Sequence, residues 1–540
     1  MLLATCGMRK TLFAFVPESV LQNHLRLCAS PTNQRFRLAA AEFRPRGRLR
    51  SQICFSTACF RQFHGDSLEF NGNNSRPSRA ARWFALIKEA IRGSRQDFTA
   101  ISIDRAIVLL AVPMVLEMAM ESLFGIVDIF FVAHLGADAT ATVGITEGML
   151  VMIFAVAMGL SMGTTAVVAR RIGEQDKAGA AQAAVQSIIL GVAVSALIFA
   201  VCFPLAPRLL ALMGASPAIL HVGSTYTRIM LSGSGIILML FLMNAIFRGA
   251  GDAAVAMRVL WLANFINLCL DPCLILGLGP FPRLGVTGAA VSTSIGRSIG
   301  ILYQVYILSQ GNGRIKILRE HLRVNLKIML NIMRIAGNGA LQFMITTASW
   351  VLMVRMVQSF GSAATAGYTV AIRIVIFSIL PSWGLGAAGA TLVGQNLGAK
   401  HPDRAEQSVW RAGFFNMIFL GAVSMVFLLF APRLVGIFSA DPQVVKYGAD
   451  CLRIISLCYI LYAYGLVILQ AFNGAGDTFT PSIINLICYW VVQLPVAFLL
   501  GRHYQLGPNG VYTAILVAEI LLSLISIYVF RLGRWKLKVV

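Results

Sequence analysis

The stretch Ile107–Gly136 reads IVLLAVPMVLEMAMESLFGIVDIFFVAHLG. It is long and apolar enough to cross a bilayer as a helix, for which about 20 mostly apolar residues suffice. Yet it carries three carboxylic acids, Glu117, Glu121 and Asp128. Because an ionisable group at bilayer depth is costly to bury, each of these acids is a candidate functional residue.

The composition of the whole chain is that of a polytopic membrane protein. Of its 540 residues, 57% are hydrophobic and only 13% are charged. Apolar runs of spanning length recur after this first one, and only helices and closed barrels satisfy their backbone in lipid. The sequence therefore predicts an all-α integral membrane protein with twelve transmembrane helices. The predicted spans lie near residues 106–135, 143–169, 181–213, 217–247, 253–279, 285–308, 329–360, 365–394, 404–436, 442–472, 478–501 and 510–531.

The net charge of +22 could suggest a nucleic-acid partner, but its distribution argues against one. Residues 1–95 carry 16 Lys and Arg against 5 Asp and Glu, so half of the excess precedes the spans. Much of the rest lies in alternate short loops, where positive charge marks the cytoplasmic side. We expect no nucleic-acid binding, and a multi-pass protein of the cell inner (plasma) membrane with both termini in the cytoplasm.

The N-terminal extension differs from the rest of the chain. Residues 1–95 are rich in Arg and turn-forming residues, which favours disorder. Within them, 81–93 alternates apolar and polar residues at helical spacing and predicts an amphipathic helix on the membrane surface. If the extension is instead a transit peptide, an organellar envelope is the expected location.

An internal repeat organises the twelve spans. Laying the second half over the first in one constant register aligns Gly249-Ala-Gly-Asp252 with Gly474-Ala-Gly-Asp477, Gly136 with Gly361, and Gly285 with Gly510. Each copy holds six spans, so both copies enter the membrane from the same side, as parallel repeats do. The carboxylates are not repeated, which suggests that the chemistry is concentrated in the first copy.

The duplication predicts two six-helix lobes that can rock against each other. Residues 96–310 form the predicted N-lobe with spans one to six. Residues 311–328 form a cytoplasmic linker. Residues 329–540 form the C-lobe, with spans seven to twelve and a basic tail.

Polar residues in spans five and six suggest a cation or proton site. Asn267 and Asp271 are four residues apart on one helix face, and Pro272 can kink that helix and free a carbonyl. Ser292 and Thr293 add hydroxyls from the next span. With Asp128, these oxygens could hold a monovalent cation or a proton. The alternative is a passive network of hydrogen bonds between packed helices.

These residues also carry a family resemblance. Asp128-Ile-Phe-Phe-Val-Ala-His-Leu-Gly136, Arg248-Gly-Ala-Gly-Asp252, Asn267-x-x-x-Asp271-Pro272 and Gly285-Val-Thr-Gly-Ala-Ala-Val-Ser-Thr293 resemble the multidrug and toxic compound extrusion (MATE) family, in its DinF-like branch. The resemblance implies a secondary active, cation-coupled antiporter that exports organic, often cationic and amphipathic compounds. It also implies a cation or proton site in the N-lobe, at the positions Asp128, Asn267, Asp271 and Thr293.

Other residues have open roles. Glu117 and Glu121 could relay protons, attract cationic substrates, or be bound to neighbouring helices. Candidate drug contacts are the thioethers and rings of the predicted cleft, which adapt to varied ligands. They are Met114, Met118, Met120, Phe124, Met158, Met162, Met344, Trp350, Met353 and Trp383.

Two other functions compete with antiport. A lipid-linked saccharide flippase would share the two lobes but would need cationic residues such as Arg228, Arg297 and Arg355 to bind phosphates. An intramembrane enzyme is less favoured. The Gly159-Leu-Ser-Met-Gly163 match to a nucleophile elbow lies inside an apolar helix rather than after a strand. We expect no enzyme activity and no cofactor. The expected coupling ion is Na⁺ or H⁺, and no metal is expected beyond Na⁺ at the coupling site. We expect the protein to function as a monomer.

Overall fold

The computed structural model of the protein describes residues 79–540, except residues 134 and 312. The side chains of residues 79, 124, 126–130, 133, 137 and 218 are also outside the description. Most of the predicted N-terminal extension therefore lies outside the described residues. The segment predicted as an amphipathic surface helix is inside them and is a helix, with Trp83 and Phe84 exposed on its apolar face.

Long helices account for all twelve predicted spans, singly or as consecutive pairs. Ten runs of helix are long and apolar enough to cross a membrane within the described chain, or eleven if the pair α12–α13, bent by 63°, forms one span. The predicted sixth span, α8, is a helix of 25 residues but is not among them. The chain is thus a multi-pass membrane protein. In order, the helices are α1 (Arg79–Arg92), α2 (Ile103–Ala133), α3 (Ala137–Gly173), α4 (Lys177–Leu212), α5 (Pro217–Ser232), α6 (Ser234–Ala250), α7 (Ala253–Leu276), α8 (Val286–Gln310), α9 (Leu326–Gln358), α10 (Ser362–Gly398), α11 (Pro402–Gly436), α12 (Pro442–Ser456), α13 (Tyr459–Gly474), α14 (Phe479–His503) and α15 (Pro508–Arg531).

The duplication is visible in the backbone at the helix junctions. Gly136 and Gly361, which precede α3 and α10, have φ angles of 104° and 109°. Gly251 and Gly476, which follow α6 and α13, have φ angles of 87° and 84°. Side chains rarely adopt positive φ, so both halves place glycine where the turn requires it.

The last helix of each half departs from the predicted register. Gly285 and Gly507 precede α8 and α15 with φ angles of 58° and 61°, and Gly311 and Gly533 follow them at 69° and 71°. The two glycines that flank α8 match the two that flank α15 at one common offset. This offset differs from the one that aligns the earlier helices. The predicted match of Gly285 with Gly510 is therefore wrong. The loop after α7 is longer than the loop after α14, and this difference shifts the register of the final helix.

Each half pairs its first and fifth spans side by side in the same direction. In the first half, Trp261 Nε1 of α7 donates to the carbonyl oxygen of Leu116 in α2 at 3.3 Å. In the second half, Trp490 Nε1 of α14 donates to the carbonyl oxygen of Ile345 in α9 at 3.0 Å. A tryptophan-to-backbone contact therefore joins the helix pair in both copies, at positions about one helical turn apart in the repeat.

A seam of glycines joins the two halves at one end of the bundle, where α3 and α10 finish. A Cβ atom on Gly173 would lie 1.9 Å from the carbonyl oxygen of Gln395, and one on Gly398 would lie 2.2 Å from that of Arg170. Only glycine allows the backbones to approach so closely. We refer to Gly173, Gly398 and their contacts as the glycine seam.

The seam continues along α3 through the residues that matched a nucleophile elbow. A Cβ on Gly159 would lie 2.3 Å from the carbonyl oxygen of Ala336, and one on Gly163 would lie 2.8 Å from that of Ile332, both in α9. Ser161 donates its hydroxyl to a carbonyl of its own helix at 2.8 Å. The motif therefore serves helix packing, as its position in an apolar helix predicted.

Hydrogen bonds across the halves reinforce the seam. Thr391 Oγ1 donates to the carbonyl oxygen of Arg248 at 3.2 Å, and Gln395 Nε2 donates to that of Gly249 at 3.0 Å. Both side chains are buried. Because buried hydrogen bonds to backbone carbonyls are expensive to lose, they hold this end of the bundle closed.

A cation binds the aspartate of each Gly-Ala-Gly-Asp turn. Arg314, which follows α8, contacts Asp252 with its backbone N–H at 2.7 Å and its Nε at 3.4 Å. Lys538, which follows α15, places Nζ 3.2 Å from Asp477. Arg170 of the seam donates to the carbonyl oxygen of Lys538. Both turns are thus tied to the basic segment that follows their own half.

Candidate functional site

The polar residues predicted in spans five and six do meet. Ser292 of α8 donates its hydroxyl to Asp271 Oδ1 of α7. Asn267, one turn earlier on α7, contacts Thr293 Oγ1 at 3.1 Å through its amide. Asp271 and Ser292 have no exposed surface, and Asn267 and Thr293 are 2% and 5% exposed. The four form one buried cluster, the α7–α8 cluster.

The orientation of the Asn267 amide follows from its neighbours. With its nitrogen towards the carboxylate, the amide donates to Asp271 Oδ2 at 2.8 Å and accepts from the backbone N–H of Thr293 at 3.1 Å. The reverse orientation leaves its oxygen facing acceptors, so the first one satisfies more hydrogen bonds. Both oxygens of Asp271 are then hydrogen-bonded, yet no ion pair forms at Asp271 within the described chain.

The side chain of Asp128 lies outside the described residues. Its place along α2 is still defined by the backbone, because Asn264 Nδ2 of α7 donates to the carbonyl oxygen of Met120 at 3.4 Å. Continued along the two parallel helices, this offset places position 128 level with Asp271 and Pro272. The contact of Asp128 with the α7–α8 cluster stays a prediction.

A second site is the cavity between the two halves, which has a volume of about 820 Å³. Helices of both halves line it, and most of the lining side chains are apolar or aromatic. Three carboxylates also line it, namely Glu117, Glu121 and Glu519. The α7–α8 cluster does not line this cavity, so the structure separates the two candidate sites.

Glu117 is the deepest of the three carboxylates, with 1% of its surface exposed. Its Oε1 lies 3.1 Å from Arg248 Nη1 and accepts from Asn244 Nδ2 at 3.0 Å. Gln304 Nε2 in turn donates to Asn244 Oδ1 at 2.6 Å. One turn further along α2, Glu121 lies 3.6 Å from Arg297 Nη2. Each of these two acids is therefore paired with an arginine of its own half.

The comparison with known proteins now decides the family. The MatE family model matches the chain twice, over residues 113–273 and 339–499. The chain belongs to the MatE family. The two matches coincide with the duplicated halves, and the predicted MATE membership is confirmed, together with its consequence that the protein is a transporter and not an enzyme. Assignment to the DinF-like branch stays a prediction.

Relatives of this MatE protein are similar over most of their length. The "Probable multidrug resistance protein NorM" of Thermotoga maritima is 27% identical over 81% of this chain and 94% of its own. The "FAD transporter" of Shewanella oneidensis is 25% identical over 80% of this chain and 96% of its own. A solved structure titled "Outward-facing conformation of a multidrug resistance MATE family transporter of the MOP superfamily" matches with a TM-score of 0.76 and 27% identity, over 81% and 96% of the chains.

Half of the predicted drug-contact residues line the cavity of this MatE protein. They are Met118, Met158, Met162, Trp350 and Trp383. Met114 and Met353 are instead completely buried between helices, and Met120 and Met344 are not part of the lining. The side chain of Phe124 lies outside the described residues. Sequence cannot separate these groups, because thioethers serve equally well in cavities and helix contacts.

Sequence reasoning missed two charged residues of the cavity. Arg248 was recognised only as the first residue of the motif Arg248-Gly-Ala-Gly-Asp252, and Glu519 was not predicted as a functional residue. Glu519 lies within the apolar run of span twelve, so the burial argument applied to Glu117 could have found it. Glu519 adds a carboxylate of the second copy to the cavity, and the expectation that the chemistry is concentrated in the first copy stays a prediction.

The arginines proposed for phosphate binding are not arranged as a phosphate groove. Arg228 and Arg355 are exposed and are not part of the cavity lining. Arg297 does line the cavity but faces Glu121, and Arg248 faces Glu117. Because both cavity arginines already have carboxylate partners, the geometry does not favour a saccharide-phosphate flippase.

The Glu117–Arg248 pair supports a prediction about stability. Replacing Arg248 by Met is expected to lower the free energy of unfolding by about 3–5 kcal/mol, because it leaves the Glu117 carboxylate buried without a counter-charge. The double variant Glu117→Met/Arg248→Met should recover most of this loss. Thermal unfolding of the purified proteins measures both. Equal destabilisation by the single and double variants would contradict the ion-pair interpretation.

Proposed function

We propose that this MatE protein is a secondary active multidrug efflux transporter that exchanges organic compounds for Na⁺ or H⁺ by alternating access. The observation that carries the proposal is the pairing of two separate sites. One is a large apolar cavity between duplicated halves, and the other is a buried carboxylate cluster inside one half. Transport driven by an ion needs both kinds of site, and their separation allows each ligand to bias the same conformational equilibrium.

The chemistry of the α7–α8 cluster supports its role as the coupling site. Asp271 is completely buried and has no positive partner among the described side chains. An unpaired buried carboxylate is expensive, so it is stable only with a proton or a bound cation. Asn267, Asp271, Ser292 and Thr293 offer the oxygen ligands that a hard cation such as Na⁺ prefers. Asp128, level with them on α2, completes the proposed set.

The glycine seam suggests which state the structure represents. The seam closes the end of the bundle where α3 and α10 finish and α9 begins. With both termini in the cytoplasm, as the loop charges predict, this is the cytoplasmic end. The cavity is then closed to the cytoplasm. Return to the other state requires the seam to part.

The proposed substrates are organic and amphipathic, and often cationic. The lining of the cavity is mostly apolar, with the thioethers of Met118, Met158 and Met162 on one wall. Flexible thioethers accept ligands of different shape, which suits a multidrug transporter. We place the protein in the cell inner membrane as a monomer that needs no cofactor beyond the coupling ion.

Transport of a fluorescent dye by the reconstituted full chain tests this function. The protein is reconstituted into the membrane of lipid vesicles, and either a Na⁺ gradient or a pH gradient is imposed. Dye movement across the membrane is measured under each gradient. Movement driven by one gradient and abolished by the matching ionophore is expected, and it identifies the coupling ion. Dye movement that ignores both gradients would contradict ion-coupled antiport.

A further inference from the structure

The register of the final helices reveals a reversal of charge across the cavity. Because the glycines before and after α8 align with those before and after α15, Glu519 of α15 occupies the position of Arg297 in α8. In the first half Arg297 faces Glu121. In the second half the residue that corresponds to Glu121, by the register of the earlier helices, is Thr346. At these two positions the first half has an arginine and a glutamate, whereas the second half has a glutamate and a threonine.

Among the residues that the structure describes, Glu519 has no counter-charge. Its Oε1 accepts a hydrogen bond from the hydroxyl of Tyr489 at 3.2 Å. Its Oε2 has no hydrogen-bond partner, and no ion pair includes Glu519, among the residues that the structure describes. Of the three carboxylates that line the cavity, Glu117 and Glu121 have arginine partners, and Glu519 has none within the described part of the chain.

The helix that carries Tyr489 is locally unwound to reach the cavity. Residues Leu486–Gln493 of α14 form π-helix rather than α-helix. Turns of this wider kind are rare and often occur at functional sites. Both Tyr489 and Gln493 of this segment line the cavity. Ser349 of α9 donates to Gln493 Oε1 at 3.2 Å and so holds the widened turn against the cavity wall.

Aromatic residues share the cavity lining with Glu519. Tyr459, Tyr462 and Tyr489 line the cavity together with Glu519, and Trp383 lies on the same lining. A carboxylate that shares a cavity lining with Tyr and Trp rings suits an organic ammonium ion, because both the negative charge and the rings attract a cation. The second half therefore offers a cation site, whereas the first half offers neutralised ion pairs.

We propose that Glu519 is the residue that binds the cationic group of the substrate in the central cavity, with Tyr489 positioning its carboxylate. The inference rests on the proposed efflux function and makes it specific. The positive charge of an organic cation faces α15, and its apolar body lies against the methionines of the first half. Neutral compounds can use the same cavity but gain nothing from Glu519.

Binding to the purified full chain tests the proposal with two probes that share one ring system and differ in charge. Ethidium carries a permanent positive charge, and phenanthridine is its neutral parent ring. For Glu519→Gln we expect the Kd of ethidium to rise about tenfold or more, as loss of a desolvated charge contact implies. The Kd of phenanthridine should stay the same. Tyr489→Phe, which keeps the ring and loses the hydroxyl, should weaken ethidium binding by a smaller factor.

Controls separate this inference from misfolding and from a coupling role. Glu147→Gln removes a carboxylate of α3 that does not line the cavity, and it should bind both probes like the wild type. Unchanged ethidium binding by Glu519→Gln, equal loss of both probes, or loss of efflux without loss of binding would each overturn the proposal. So would a wild-type protein that exports other dyes but does not bind ethidium. A wild type without any gradient-driven export would instead refute the proposed function itself.

Discussion

Replacement of Asp271 by Asn is expected to abolish ion-coupled efflux while the protein stays folded. The carboxylate is completely buried in the α7–α8 cluster and has no counter-charge among the described side chains, so in the proposed mechanism it binds and releases the coupling ion. An amide of the same shape cannot carry the negative charge that holds a cation or a proton. It can still accept the hydroxyl of Ser292, and the Asn267 amide can rotate to meet it. Stability should therefore change far less than transport, which should fall by at least about tenfold.

Dye efflux from vesicles measures the predicted loss of transport, and thermal unfolding of the same preparation measures the predicted retention of stability. Asp138→Asn is the matched control, because Asp138 is an exposed residue in the first turn of α3. It should transport like the wild type. Asp128→Asn should behave like Asp271→Asn if Asp128 completes the cluster. Normal gradient-driven efflux by Asp271→Asn would exclude this cluster as the coupling site.

Replacement of Gly173 by Ala should prevent the seam from closing. The added Cβ would lie 1.9 Å from the carbonyl oxygen of Gln395, and this contact is with backbone, so no side-chain rotation relieves it. Overpacking of this kind costs about 1–3 kcal/mol. Because the clash exists only in the closed arrangement, it should shift the population about fivefold to 150-fold towards the state that is open at this end. Efflux should slow accordingly.

Spin labels at Glu174→Cys and Lys400→Cys, in a background without other cysteines, report the distance across the seam. The distribution should move to longer distances in the Gly173→Ala protein. Gly421→Ala is the control, because a Cβ there meets no atom within 4 Å. An unchanged distance together with reduced stability would mean that the substitution merely damages packing.

Much of the fold follows from the sequence because it depends on length, apolar character and repetition. Spanning helices must be long and apolar, and a turn with positive φ repeats its glycine in both copies, as Gly251 and Gly476 show. The shift at the last helix was not predicted, because Gly285 and Gly510 match as letters although they differ in conformation. That register is set by the length of the loop before the last helix of each half, and matching identical residues does not take loop length into account.

The candidate sites were only partly predictable for a similar reason. Asn267 and Asp271 share one helix face by spacing alone, so their meeting with Ser292 was expected. The partner of Glu117, by contrast, depends on how α6 is rotated against α2. Rotation is set by packing of the whole bundle rather than by local spacing, so Arg248 could not be assigned. The relation of Glu519 to Arg297 depends on the register of the last helix, because the register of the earlier helices places Glu519 opposite Ser294 instead.

The cations bound to Asp252 and Asp477 have an evolutionary consequence. Each half ends with its own basic segment, and that segment folds back onto the turn of the same half through Arg314 or Lys538. The connection between the halves therefore makes the same contact in the first copy as the C-terminal segment makes in the second. This is the pattern expected if a shorter chain with its own basic tail was duplicated. In such a shorter chain the glycine seam corresponds to a contact between two identical subunits.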